Sequence, residues 1–229
     1  IYMPLLEELD YVPTEKYSHG PEILEHARSI GRHYNLYEEA CFQTKVTALD
    51  WDEASKRWTV KTDRGDAMRA RFVCMANGPL NRPKLPAIEG INDYTGHTFH
   101  TSRWDYDYTG GSNAGDLDGL KDKRVGIIGV GSSAFQSAPL IAEDAAHVYL
   151  YPRTPNFVVP AQNRPLSAAE VADIKSDYKG FRAKAYAGLT AFLFKRHDDS
   201  VFDLAPDERR ARFDEFWNIG GLPFLGAFN

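Results

Sequence analysis

The chain has 229 residues, 43% of them hydrophobic and 26% charged, a composition that excludes a disordered polymer and is long enough to bury a core. Lys+Arg 27 against Asp+Glu 32 leaves a net charge of −5, spread along the chain, which excludes the basic stripe of a nucleic-acid binder. The apolar run Leu189–Phe194, between Lys184 and Lys195, falls short of the ~20 residues a bilayer span needs, and Ile1 opens no signal peptide. Cys41 and Cys74 lack disulfide-framework or zinc-site spacing and read as small buried apolar groups in a reducing compartment, so a cytoplasmic location is expected. A start at Ile1 instead of Met and an apolar end at Leu225–Asn229 read as a piece of a longer protein.

Residues Gly20–Asn35 predict a helix: Pro21 suits a first helical position, and Ile23, Ala27, Ile30 and Tyr34 share one face that should pack on a neighbour. From Cys41 the period becomes two, with Phe42, Thr44, Val46 and Ala48 alternating against polar residues. Arg57–Thr62 and Ala67–Cys74 follow around an Asp63-Arg64-Gly65 turn, which predicts a small antiparallel meander. Its last strand is expected to run into Met75-Ala76-Asn77-Gly78-Pro79, where small residues permit close backbone approach. Pro83, Pro86 and Gly90 mark a linker.

Arg124–Ile128 predicts a buried strand that enters a glycine turn and then a helix whose sheet-facing stripe is Ala134, Ala138, Ile141, Ala142 and Ala145, kinked at Pro139. His147–Tyr151 predicts the next strand, completing a strand, turn, helix, strand unit of a parallel sheet and hence an α/β fold. Ser167-Ala168-Ala169-Glu170 has the form of a capping box opening a long helix to about Arg196. A final helix starts at Pro206, carries Phe213, Phe216 and Trp217 on one face and ends at Gly220-Gly221.

Between the predicted strand and helix lies Gly129-Val130-Gly131-Ser132-Ser133-Ala134, a G-x-G-x-x-G/A pattern. The first glycine permits the tight turn, the second lets backbone amides approach a diphosphate at the positive helix end, and the small third residue lets helix and strand pack. At the end of the next strand an NAD site places an acid against the ribose hydroxyls. This chain has Tyr151-Pro152-Arg153-Thr154 there, and a guanidinium beside a hydroxyl suits an adenosine 2′-phosphate, whereas a plain surface arginine is the alternative.

Ahead of this unit runs Tyr94-x-Gly96-x-x-x-His100-x-x-x-Trp104-Asp105. It resembles the F-x-G-x-x-x-H-x-x-x-W-(P/D) fingerprint of the flavin-dependent Baeyer–Villiger monooxygenases, class B flavoprotein monooxygenases, with Tyr94 for Phe. The resemblance continues through Val130–Gln136 with Pro139, Arg153-Thr154-Pro155-Asn156 and Pro160-x-x-Asn163, covering nearly the whole chain from about Tyr17.

The resemblance implies a partial FAD-binding domain at 1–90 (helix and meander), a fingerprint linker at 91–122, a Rossmann-like NADP-binding unit at 123–165 and a truncated helical insertion at 166–229. It implies NADP(H) contacts from Gly129, Gly131, Ser132, Ser133, Gln136, Arg153 and Thr154. His100 would matter for activity by coupling, supported by Gly96 and Trp104. Met75-Ala76-Asn77-Gly78 is similar to the family's A-T-G linker strand, with Asn for Thr, which would set Asn77 and Gly78 near FAD. The family's own FAD glycine motif, Trp motif and active-site Asp would precede Ile1, and its flavin-side arginine would follow Asn229.

The reaction so implied is NADPH reduction of FAD, activation of molecular oxygen and conversion of a ketone to an ester or lactone. A flavin monooxygenase oxidising nitrogen or sulfur in a heteroatom substrate, an inactive NADP-binding module and a flavin-free dehydrogenase are the other readings, the last without a Tyr-x-x-x-Lys pair. Asp105, Asp107, Thr109, Gly110 and Asp116 match part of a calcium loop, but lack its final Glu and a helix pair. His97 and His100 lack further metal ligands, and Ser132-Ser133 is not a hydrolase elbow. Tyr106, Tyr108 and Gly110-Gly111 are expected in a mobile loop.

Overall fold

The computed structural model describes residues 3–78, 80, 82–188, 193 and 196–228. Their contacts divide the chain into two units, residues 46–157 and residues 1–45 with 158–229.

In the first of these, β1 (Val46–Asp52), β2 (Arg57–Thr62) and β3 (Ala67–Ala70) form an antiparallel sheet in that order. The β2–β3 turn places Gly65 at φ +83°, a conformation natural to glycine. Trp51 and Trp58 face each other in register with ring centroids 5.3 Å apart, and Lys61 pairs with Asp50 at 2.9 Å across the strands.

Both ends of the meander are shorter than the alternation predicts. Gln43 takes φ +50°, which breaks the extended run, and pairing begins at Val46 with a register irregularity before Ala48. The third strand stops at Ala70 and does not reach Cys74. Cys41 and Cys74, expected to be buried, are free and exposed because both fall outside the paired strands.

The same unit continues through α2 (Tyr106–Thr109), β4 (Arg124–Ile128), α3 (Ser132–Asp144) and β5 (His147–Tyr151). Strands β4 and β5 are parallel, in register from Arg124 against His147 to Ile128 against Tyr151. Helix α3 continues through Pro139. Leu117, Leu120, Ile127, Ala134 and Ile141 are the buried core, with Trp104, Tyr108, Val125, Leu140 and Val148 packed on it.

Strand β4 was expected buried, but only Ile127 is, and Ile128 is 59% exposed because among the described residues β4 and β5 form a two-stranded sheet. Ala142 likewise turns outward, off the stripe assigned to it, one position beyond the Ile141 that packs. Of the segment read as a loop, Tyr106–Thr109 is helical, while Gly110 and Gly111 lie beyond the helix. Asp105 caps α2 by accepting from the Tyr108 amide at 3.1 Å, and Thr109 is fully buried.

In the other unit, α1 (Gly20–His33) is held by His26, which is buried, makes a 2.7 Å hydrogen bond to the Pro4 carbonyl and stacks on Tyr11. The face predicted to pack is largely outward instead: Ile23, Ala27 and Tyr34 are exposed. Helices α4 (Ala168–Ser176) and α5 (Tyr178–Ala187) replace the single long helix. Asp177, at φ −151°, breaks the run and its side chain caps α5 through the Gly180 amide at 2.8 Å. The predicted continuation toward Arg196, with most of the apolar run 189–194, lies outside the described residues.

The capping box at Ser167 and Glu170 is present. Arg164 grips Glu170 with two guanidinium nitrogens at 2.7 and 2.9 Å, and this contact, aided by Ser167, holds the carboxyl well below the usual carboxylate range. Helix α6 (Pro206–Ile219) buries Phe216 but leaves Trp217 45% exposed. Asn163 accepts from the Tyr17 amide at 2.9 Å and donates to Glu15 at 2.6 Å, while the Gly221 amide donates to the Pro160 carbonyl at 2.8 Å. Residues 15–17, 160–164 and the end of α6 are thereby tied together.

Tyr11 donates to Glu22 at 2.6 Å, and burial first, then the carboxylate, pushes its phenol up to about 12. The folded chain therefore holds this proton more tightly than the unfolded chain. The resulting stability is complete below pH ~10 and is lost as pH rises toward ~12. Titration of phenolate absorbance should show a phenol titrating near pH 12 that Tyr11→Phe removes; a titration curve whose late phase is unchanged by Tyr11→Phe would contradict the assignment.

Candidate functional site

The glycine turn joins β4 to α3. Gly129 sits at φ +99°, where a side chain would be strained, and its amide extends the parallel ladder to the Tyr151 carbonyl at 3.0 Å. Gly131 is the N-cap residue of α3, and no side chain caps that end. Nothing lies within 4 Å of the position a Cβ would take on either glycine. An open backbone surface at an uncapped helix start, with Ser132 and Ser133 both exposed, is what a diphosphate requires.

Gln136 reaches back to the Ser132 carbonyl at 3.1 Å, and Ser137 to that of Ser133 at 2.9 Å. Arg153 and Thr154 form an exposed bend just past β5. Asn156 donates to the Val130 carbonyl at 2.5 Å, tying the segment beyond that bend to the glycine turn. Among the described residues Arg153 has no ion-pair partner.

The fingerprint residues have separate local tasks. The Tyr94 hydroxyl and the ring edge that carries it occupy the space a Cβ on Gly96 would need, so an aromatic followed two positions later by glycine is a packing unit. His100 caps a 3-10 turn at Thr101–Arg103, its Nδ1 accepting from the Ser102 amide at 3.1 Å. Trp104 Nε1 donates to the buried Thr109 hydroxyl at 3.0 Å, and its ring meets Phe99 edge-on. Asp105, besides capping α2, faces His97 Nε2 at 2.9 Å, and the His97 ring stacks on Tyr108 with centroids 3.7 Å apart.

A cavity of about 560 Å³ in this unit brings His100, Trp104, Ser133 and Gln136 together. Gly129, Gly131, Ser132, Arg153, Thr154, Tyr94, Gly96, Asn77 and Gly78 are not part of its lining. Asn77 and Gly78 lie in exposed, non-strand chain, Gly78 at φ +65° with open space beside it. Among the described residues there is no group of three or more His, Cys, Asp or Glu able to hold a metal ion, and no helix long and apolar enough to cross a membrane.

Sequence reasoning weighed His97 only as a metal ligand and put Tyr108 in a loop, so it missed that the two brace the fingerprint, and it passed over Arg82 and Lys84, which line the cavity. A signal for the latter was present: they are the only charged residues in the stretch 72–88.

A parallel β-α-β unit with an open glycine turn defines a dinucleotide-binding α/β protein. A family model described as pyridine nucleotide-disulphide oxidoreductase matches residues 7–167, and the chain belongs to that family. It is 52% identical over 207 residues to neopentalenolactone D synthase of Streptomyces avermitilis, covering 90% of this chain and 34% of that protein. It is 48% identical to a Baeyer-Villiger monooxygenase of Streptomyces coelicolor, covering 94% and 41%. The structure of OTEMO complexed with FAD and NADP superposes with a TM-score of 0.85 at 29% identity, covering 98% of this chain and 42% of that one. The chain spans about a third of the length of the first of these relatives.

Proposed function

We propose that the protein to which this chain belongs is an NADPH- and FAD-dependent monooxygenase of the Baeyer–Villiger type, using molecular oxygen to convert a small ketone to an ester or lactone. The observation that carries the reading is the open glycine turn at the uncapped start of α3, with Arg153 in place of an acid at the exit of β5. Similarity at 48–52% identity to a Baeyer-Villiger monooxygenase and a pentalenolactone-type synthase supports the reaction class. When bound, NADPH supplies hydride and FAD supplies the oxygen-activating chemistry.

This chain's task is to hold and orient the nucleotide. Amides at Gly131, Ser132 and Ser133 receive the diphosphate, Gln136 and its bond to Ser132 stiffen that edge, and Arg153 with Thr154 selects the 2′-phosphate. Asn77 and Gly78 offer open backbone to FAD. His100, set by its own capping bond and sharing the cavity with Trp104, couples nucleotide binding to turnover, with Tyr94, Gly96 and Asp105 fixing the linker that carries it.

We assign 1–90 to the FAD domain, 91–122 to the linker, 123–165 to the NADP unit and 166–229 to a helical insertion. The dispersed charge argues against a nucleic-acid partner. The exposed free cysteines fit a reducing cytoplasm.

Arg153→Ala tests the reading directly. NADP⁺ affinity should fall by about 1.5–3 kcal/mol, the magnitude of a charged hydrogen bond, with NAD⁺ affinity unchanged, as read by equilibrium titration. Equal losses for both nucleotides would remove Arg153 from the 2′-phosphate.

A further inference from the structure

The glycine turn and the helix that follows it contain no formal positive charge: from Gly129 to Pro152 there is neither lysine nor arginine. The cavity beside that helix does hold cations. Its wall includes Arg82 and Lys84 together with His100, Ser133, Gln136 and Leu140, and none of its lining residues is acidic. Arg82 and Lys84 flank Pro83, whose ring fixes the local backbone, and among the described residues neither has an ion-pair partner. Two unneutralised cations on a concave wall without carboxylates attract an anion.

We propose that Arg82 and Lys84 form a clamp for the diphosphate of the nicotinamide dinucleotide, separate from the Arg153 contact to the 2′-phosphate. The inference rests on the reading that this chain binds NADP(H). Ser133 and Gln136 come from the first turns of α3, so a ligand in the cavity lies beside the helix start that receives the diphosphate. Arg153 and Thr154, at the adenosine end, do not line the cavity, which assigns the space to the nicotinamide half. A volume of about 560 Å³ is within the range of sites for ligands of that size. The chemistry recognised is a phosphate anion shared by NADP⁺ and NAD⁺, and an acidic group on the ketone substrate is the competing source.

The test is equilibrium titration of the protein and of an R82Q/K84Q variant with NADP⁺, NAD⁺, adenosine 2′-monophosphate and a carboxylated ketone, with a thermal melt of each. Both side chains are exposed, so the melts should coincide. The clamp predicts that NADP⁺ and NAD⁺ weaken by the same factor, about tenfold or more, while the monophosphate, which lacks the diphosphate, binds unchanged. Unchanged dinucleotide affinity overturns the clamp, as does a loss confined to NADP⁺, which would assign the pair to the 2′-phosphate. A loss seen only with a carboxylated ketone would assign it to substrate. Failure of the unsubstituted protein to bind NADP⁺ would overturn the dinucleotide reading itself, a result distinct from any of these.

Discussion

Gly119→Ala should destabilise the 46–157 unit by about 2–3 kcal/mol, read as a lowered melting temperature, although it adds a single methyl group. The new Cβ would stand 2.4 Å from the Tyr108 carbonyl oxygen and 3.0 Å from the Thr109 carbonyl carbon, both backbone atoms that no rotamer change can move away. Thr109 is fully buried and holds Trp104, and Leu117 and Leu120 on either side of the glycine belong to the core. The segment at 118–120 therefore cannot retreat without opening that core. Because Trp104 lines the same cavity as His100, the substitution should also weaken nucleotide binding. Gly65→Ala is the control: its φ of +83° costs about 1 kcal/mol of backbone strain, but nothing lies within 4 Å. Equal melting temperatures for the two variants would contradict the packing described here.

The elements that carried two independent signals were legible from residues alone. The β4-α3-β5 unit combined a short apolar run, a glycine turn and a helical period, and its strand limits agree with those expected. The capping box did the same for the start of α4. Single signals were less secure. Alternation from Phe42 to Ala48 predicted pairing, yet Gln43 with positive φ made its first part a turn, since period two does not report which residues leave the extended region. The long helix beyond Ser167 failed at Asp177, where an aspartate favours capping a new helix over continuing the old one.

Burial was the least legible property. The apolar stripe of α1 and the residues of β4 were expected inside, but Ile23, Tyr34 and Ile128 are well exposed while His26 is buried against Pro4 and Tyr11. Periodicity identifies which residues share a face, and the partner that covers the face is a property of other sequence. At the site, motif spacing drew attention to Gly129, Gly131 and Arg153, whereas Arg82 and Lys84 reach the cavity that Ser133 and Gln136 line only through the path of the intervening chain.

Gly131→Ala separates site from scaffold. Gly131 has φ −81° and ψ −176°, extended backbone open to alanine, and no atom lies within 4 Å of the added methyl. The cost to folding is then limited to a poorer N-cap, about 1 kcal/mol or less. The methyl nevertheless projects into the open space where the diphosphate must approach the amides of α3. NADP⁺ and NAD⁺ affinity should both drop by at least about tenfold, equivalent to about 1.4 kcal/mol, with the melting temperature nearly preserved. Gly129→Ala cannot make this distinction, because its φ of +99° adds backbone strain to any loss of binding. Gly131→Ala binding both nucleotides with unaltered affinity would mean that the turn is a packing device, and the diphosphate would have to be sought elsewhere in the protein.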